Sequence, residues 1–147
     1  MIKMNRTSLT ARSRRALSAP ADELLERGLL AGRILDFGSG KGDLAKFLDG
    51  DIHEWDPHFH PKVPRGKFDV VCCIYVLNVL RPAQRRHVLA DAKEYVRPGG
   101  CLYVAVRRDP FDEGPTTKGT EQYHVRLRMR SLALRKGAFE IYAWEKP

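Results

Sequence analysis

An aspartate and three alternating glycines close an apolar run in Arg33-Ile34-Leu35-Asp36-Phe37-Gly38-Ser39-Gly40-Lys41-Gly42-Asp43. A helix-like stretch, Leu44 to Leu48, follows at once. A strand, a tight turn and a helix start in that order bring backbone N–H groups close to a nucleotide-like ligand. A second acid, Asp56, ends another short apolar run about 20 residues after Asp36. This pattern asks for a strand that ends at a ligand, as in an alternating α/β chain.

The rest of the chain fits that demand. Strands are predicted at Ile34–Phe37, Ile52–Trp55, Phe68–Val76, Cys101–Val106 and Phe139–Trp144. Phe68–Val76 is apolar almost throughout, as in a strand covered on both faces. Helices are predicted from Ser18-Ala19-Pro20 to Gly28, from Gly42 to Leu48, and from Pro82 to about Val96. Residues 57–67 hold Pro57, Pro61, Pro64 and Gly66, and residues 109–120 are rich in Pro, Gly, Thr and acids, so both read as loops. The stretch 122–135 is ambiguous. Val125, Leu127 and Met129 alternate with arginines, as in a strand, whereas Tyr123, Leu127, Ser131 and Leu134 tolerate a helix. A helix from Gln122 to Arg135, ended at Gly137, is the expectation. At 147 residues the chain reads as one domain with a mostly parallel sheet, preceded by a basic arm over residues 1–17.

Charge and cysteine content narrow the setting. No apolar run approaches the roughly 20 residues that span a bilayer, and no apolar segment follows the basic N-terminus as in a secretory signal. Cys72, Cys73 and Cys101 lie in apolar runs and make no disulfide framework, so buried thiols in the cytoplasm are expected. The net charge is +8. Its excess gathers at Lys3, Arg6, Arg12, Arg14 and Arg15, and again at Arg126, Arg128, Arg130, Arg135 and Lys136. Nucleic acid is therefore a candidate partner, through the arm and the C-terminal arginines. Nothing in the sequence sets the oligomeric state.

Three kinds of ligand turn compete for the glycine run. A P-loop needs Gly-x-x-x-x-Gly-Lys-Ser/Thr; here Leu35 stands at the first glycine and Gly42 at the hydroxyl position. The dinucleotide pattern Gly-x-Gly-x-x-Gly is met by Gly38 and Gly40, but Asp43 takes its third place and would repel a pyrophosphate. The remaining pattern, Asp-x-Gly-x-Gly-x-Gly at a strand end, resembles motif I of the class I S-adenosylmethionine-dependent methyltransferases. Two further stretches look like that family. Phe68–Leu80 is similar to its fourth strand and following turn, and Val96–Val104 to its helix end, Pro-Gly-Gly turn and fifth strand. The resemblance covers about residues 30–107.

That resemblance implies a Rossmann-like fold and S-adenosylmethionine as cofactor. It places Asp36, Gly38 and Gly40 near the methionyl part and Asp56 on the ribose hydroxyls, with Glu54 in reserve. Phe37, Ser39, Pro57, Ile74 and Tyr75 complete the implied cofactor contacts. Tyr75 and Asn78, in the turn after the fourth strand, are the implied catalytic pair. A narrower likeness, through Thr7–Ser13, Trp55–Phe59, Tyr75–Val79 and Lys118–Gln122, is to methyltransferases associated with DNA phosphorothioation gene sets.

Departures from the pattern carry expectations too. Only about eleven residues separate the second strand from Phe68, too few for the usual helix and third strand, so the sheet should be trimmed there. The adenine would then pack on Phe59 and Ile74. No Asp-Pro-Pro-Tyr or Pro-Cys motif supplies amino-group or carbon-5 DNA methylation chemistry. His53, His58 and His60 lack cysteine partners and are not expected to hold a metal, although His58, His60 and His124 remain candidate bases. The alternative to an enzyme is a methyltransferase-like module that binds nucleic acid or a partner protein without catalysis.

Overall fold

The computed structural model describes residues 3–4, 17–40 and 42–147. Nearly all of the basic arm, with Arg6, Arg12, Arg14 and Arg15, lies outside them. Elements run in the order β1 (Lys3–Met4), α1 (Ala19–Glu26), β2 (Arg33–Phe37), α2 (Asp43–Phe47), β3 (Leu48–Asp49), β4 (Asp51–Trp55), β5 (Phe68–Ile74), a 3-10 turn (Leu77–Val79) and α3 (Pro82–Tyr95). They continue with β6 (Val96–Arg107), β7 (Gly114–Pro115), β8 (Glu121–Gln122), β9 (Arg130–Arg135) and β10 (Phe139–Glu145).

Six strands form the central sheet in the order β4-β2-β5-β6-β10-β9. The first four are parallel, and β10 runs antiparallel to both β6 and β9. Local chemistry explains the boundaries. The Ser18 hydroxyl accepts the Ala21 N–H at the start of α1, with proline in its first turn. Gly28, at φ +71°, leaves that helix in the left-handed region. Asp69 fastens the base of the sheet: its carboxylate accepts the Arg33 N–H at 2.7 Å and pairs with Arg97.

Core packing divides between the two faces. Helices α1 and α2 cover one, with Leu24, Leu44 and Phe47 against Ile34, Val70 and Cys72. Helix α3 covers the other, with Ala92, Val88 and Leu89 against Leu35, Val71 and Leu102. Between Trp55 and Phe68 the described chain makes only a turn and a single bridge, Asp56 to His60, so β4 is the sheet edge and the expected trimming is present.

The helix expected over 122–135 is not formed. Arg130–Arg135 is instead a strand, joined to β10 by a tight turn in which the Ala138 N–H donates to the Arg135 carbonyl, with Gly137 at φ +77°. Pairing with β10 on one side and burial of Ala133 override the local helix preference of Leu132, Ala133 and Leu134. Val125 is buried, and Leu127 and Met129 pack on the α3 side of the sheet with Tyr142 and Trp144. The alternating residues Val125, Leu127 and Met129 form neither element: 123–129 is irregular chain that bends at Arg128 and Met129, and the strand begins only at Arg130. β6 also begins earlier than expected and takes in Arg97-Pro98-Gly99-Gly100. Among the described residues no helix is long and apolar enough to cross a membrane.

Candidate functional site

A cleft of about 360 Å³ opens at the C-terminal ends of β2 and β5, lined by Ser18, Asp36, Gly38, Ser39, Gly40, Asp43, Leu44, Ile74 and Tyr75. The topology makes it: β2 and β5 are neighbours, and their connections leave on opposite faces of the sheet. Gly38, Gly40 and Gly42 all have positive φ, which lets the chain turn sharply over the end of β2. The N–H groups of Gly38 and Ser39 donate to the Trp55 carbonyl at 2.8 and 3.0 Å, holding this turn against the end of β4.

Asp36 is the chemical centre of the cleft. Only 5% of the residue is exposed, and its carboxylate accepts the Leu44 N–H. Burial pushes its pKa up to about 7, helped by the neighbouring carboxylates of Glu54, Asp43 and Asp56. A desolvated acid among other acids favours a cation placed against it.

Asp56 is tied more tightly than a free ligand group. One oxygen accepts the Gly40 N–H at 2.9 Å; the other accepts those of His58 and Phe59 at 2.9 and 3.1 Å. Burial would raise its pKa, but these three donors outweigh it and hold the carboxyl below its ordinary value. A carboxylate offers about four lone-pair directions, so about one is left for a ligand hydroxyl. Glu54 pairs with His60 at 2.8 Å, and a side chain at Gly42 would collide with it. His53 pairs with Asp51, and among the described residues no group of three or more potential ligands is placed to hold a metal.

Tyr75 follows β5 in the left-handed region, at φ 58°, a rare conformation for a ring-bearing residue. Its N–H donates to the Ala105 carbonyl at 3.0 Å, which holds the turn in place. Burial raises the phenol pKa and Asp109 adds to the rise, against an opposing Arg107. The phenol therefore stays protonated at neutral pH and can donate.

The structure brings Asp36, Gly38, Ser39, Gly40, Ile74 and Tyr75 to one cleft, with Asp56 and Pro57 attached through the Gly40 bond. Two residues sit elsewhere. The Phe37 ring turns to the α3 side, where it stacks on Trp55 with centroids 4.8 Å apart, so only its backbone can face the cleft. Asn78 is 1% exposed; its amide nitrogen donates to the Tyr123 carbonyl at 2.8 Å and its oxygen accepts the Arg107 N–H at 2.9 Å. Phe59 lies on the Asp56 turn, 54% exposed.

Ser18, Asp43 and Leu44 were not anticipated. Asp43 stood inside the glycine run as a visible signal, whereas Ser18 arrives only through packing of α1. A second group gathers where β6 ends. Arg107 pairs with Asp109 and covers the Phe111 ring, and Phe111 stacks on His124 with centroids 3.9 Å apart. The Phe111 carbonyl accepts from His124 Nε2 at 2.8 Å, which makes Nδ1 the acceptor nitrogen of the ring.

A family model described as a methyltransferase domain matches residues 9–140. No curated protein matches the chain. Among solved structures, the Burkholderia thailandensis 1,6-didemethyltoxoflavin-N1-methyltransferase, with 1,6-didemethyltoxoflavin and S-adenosylhomocysteine bound, is similar at TM-score 0.64 and 16% identity over 96% of this chain and 83% of that one. The DhpI–SAH complex is similar at TM-score 0.59 and 14% identity over 97% and 89%. A Mesorhizobium loti S-adenosylmethionine-dependent methyltransferase gives 0.52 and 14% over 86% and 98%. These likenesses concern the fold.

Proposed function

The chain belongs to the methyltransferase-domain family, and from that premise we propose that it transfers a methyl group from S-adenosylmethionine to a nucleophilic acceptor. The observation that carries the reading is the buried Asp36 carboxylate facing a cleft walled by glycine backbone. The residues fit the cofactor. Asp36 offers a dry negative charge to an ammonium or sulfonium, and a Cβ added at Gly40 would have no atom within 4 Å, so the ligand has that space. When bound, S-adenosylmethionine supplies a methyl carbon that an acceptor lone pair attacks in line as the carbon–sulfur pair withdraws onto sulfur.

The chain's own part is placement and exclusion of water. Asp36 holds the cationic end. Gly38, Ser39 and Gly40 admit the ligand to the backbone. Asp56 meets a ribose hydroxyl with its remaining lone pair, with Pro57 beside it, and Ile74 and Phe59 give the base an apolar surface. Tyr75 directs an acceptor by donating its hydroxyl. Asn78 is a positioning residue, which acts by holding Tyr123 beside the turn. The base proposed for a proton lost by the acceptor is His124, through Nδ1.

The net charge of +8 supports a nucleic acid or nucleotide as acceptor. The reading of kinship with phosphorothioation-associated methyltransferases rests on the stretches Thr7–Ser13, Trp55–Phe59, Tyr75–Val79 and Lys118–Gln122. The free thiols Cys72, Cys73 and Cys101 support a reducing compartment such as the cytoplasm. A second reading, a binding module without catalysis, draws on Asn78, whose amide is committed to the protein. Isothermal titration with S-adenosylmethionine tests the assignment. Heat is expected from the wild type and none from Asp36→Ala; a wild type that binds nothing overturns it.

A further inference from the structure

We propose that Arg126, Arg128 and Arg130 form a docking track for a single strand of nucleic acid. The segment Val125-Arg126-Leu127-Arg128-Met129-Arg130 is sided. Val125 is 1% exposed and Leu127 and Met129 pack with Tyr142 and Trp144, whereas all three arginines are exposed. The arginines alternate with these three apolar side chains, so all three cations are presented to solvent along one short stretch of chain, which bends at Arg128 and Met129 before β9 begins at Arg130.

Their charge is uncompensated. Arg27, Arg81, Arg97, Arg107, Arg108 and Arg135 each hold a carboxylate. Among the described residues Arg126, Arg128 and Arg130 hold none, and the sequence has no acid between Glu121 and Glu140. Two further cation–aromatic pairs flank the segment, Arg85 over Tyr123 and Lys93 over Trp144. Guanidinium groups grip phosphate through two bonds, and the half-buried Tyr123 ring at the end of the row suits a stacked base. The apolar side chains of the segment are turned into the core, so little is left to enter a bilayer.

The row is also joined to the cleft. At one end Tyr123 is clamped by Asn78, just beyond Tyr75. At the other, Arg130 pairs with Ala143, Ala143 with Tyr103, Tyr103 with Cys72 and Cys72 with Asp36. Residues paired across strands share a face, so Arg130 stands on Asp36's side of the sheet, four strand spacings or about 19 Å away. A strand held at the Tyr123 end of the row lies beside the Asn78 turn that follows Tyr75, and its identity as acceptor rests on the methyltransferase reading above.

The test is fluorescence anisotropy with labelled single-stranded DNA and RNA about 12 nucleotides long, across a salt series. The Arg126→Gln/Arg128→Gln/Arg130→Gln variant is compared with Lys62→Gln/Lys118→Gln. The triple variant should lose at least about tenfold in affinity, and its slope of log affinity against log salt should be shallower by about 2. The lysine variant should stay near the wild type. Equal affinity of triple variant and wild type overturns the track, as does tighter wild-type binding to phosphatidylserine vesicles or polyglutamate than to oligonucleotide. Titration with S-adenosylhomocysteine separates the two proposals. Its retention in the triple variant shows the fold intact, and its absence in the wild type defeats the cofactor reading without touching the oligonucleotide result.

Discussion

The Asp56 carboxylate accepts the Gly40 N–H at 2.9 Å, so the turn that closes β2 and the turn that closes β4 are fastened to each other. Asp56→Ala removes three acceptor bonds at once and should cost on the order of 2 kcal/mol in urea unfolding. The carboxyl is held below its ordinary pKa by those donors, so its contribution is present above about pH 4 and lost as pH falls through the lowered value. Asp56→Ala should therefore show a flatter acid limb than the wild type.

Asp36 presents the opposite sign. Its pKa is raised to about 7, so ionisation opposes folding: the penalty is absent below about pH 4, grows as pH rises, and is complete above about 7. Asp36→Asn keeps the shape and an acceptor for Leu44. It should raise the melting temperature at pH 8, by a stabilisation of roughly 2–4 kcal/mol, while abolishing S-adenosylmethionine binding. Wild-type affinity should climb from pH 6 to about 7 and level off beyond, and a pH-independent affinity would count against Asp36 as the cation's partner.

The two glycines that bracket Ser39 should respond differently to alanine. At Gly38 an added Cβ would lie 2.6 Å from Val76 Cγ2, so Gly38→Ala must displace β5's turn and should destabilise the fold. At Gly40 the Cβ meets nothing, and the cost is mainly the left-handed φ of +56°, about 1 kcal/mol. Gly40→Ala should leave a near-normal melting curve and weaken cofactor binding.

Asn78→Ala leaves the Tyr123 carbonyl and the Arg107 N–H without their partner and should cost about 1–3 kcal/mol. Amide exchange should quicken around Tyr123 while S-adenosylhomocysteine affinity stays close to the wild type. A large loss of that affinity would contradict a role confined to the loop.

Arg108 and Glu140 form a pair with each side chain about 10% exposed, completed by Ser131 and Tyr142. Burial raises the Glu140 pKa, but the Ser131, Arg108 and Tyr142 bonds prevail and lower it. Arg108→Ala strands that charge, and should cost about 3–5 kcal/mol; Arg108→Met with Glu140→Leu should recover most of it.

The parallel half of the sheet was legible because β2, β5 and the second half of β6 are buried apolar runs and its turns are spelled by glycine and proline. At the antiparallel end the terminal strand was legible too, expected at Phe139–Trp144 and found at Phe139–Glu145, but its partner β9 was not. In Arg130–Arg135 the run Leu132-Ala133-Leu134 favours a helix locally, and only pairing with β10, a non-local contact, decides for the strand. The same limit applied in the site. Asp36, Gly38 and Gly40 are adjacent in the chain and were found together. The engagement of Asp56 by Gly40, and of Asn78 by Tyr123 and Arg107, depends on where distant loops land.

The sheet's end at β4 has a kinetic meaning. Beyond Trp55 a short turn pinned by Asp56 and His60 stands where a strand and helix would otherwise wall in the base of a bound nucleoside. On the proposed reading fewer contacts must break for the spent cofactor to leave, so its dissociation should be fast, which stopped-flow displacement of S-adenosylhomocysteine would measure.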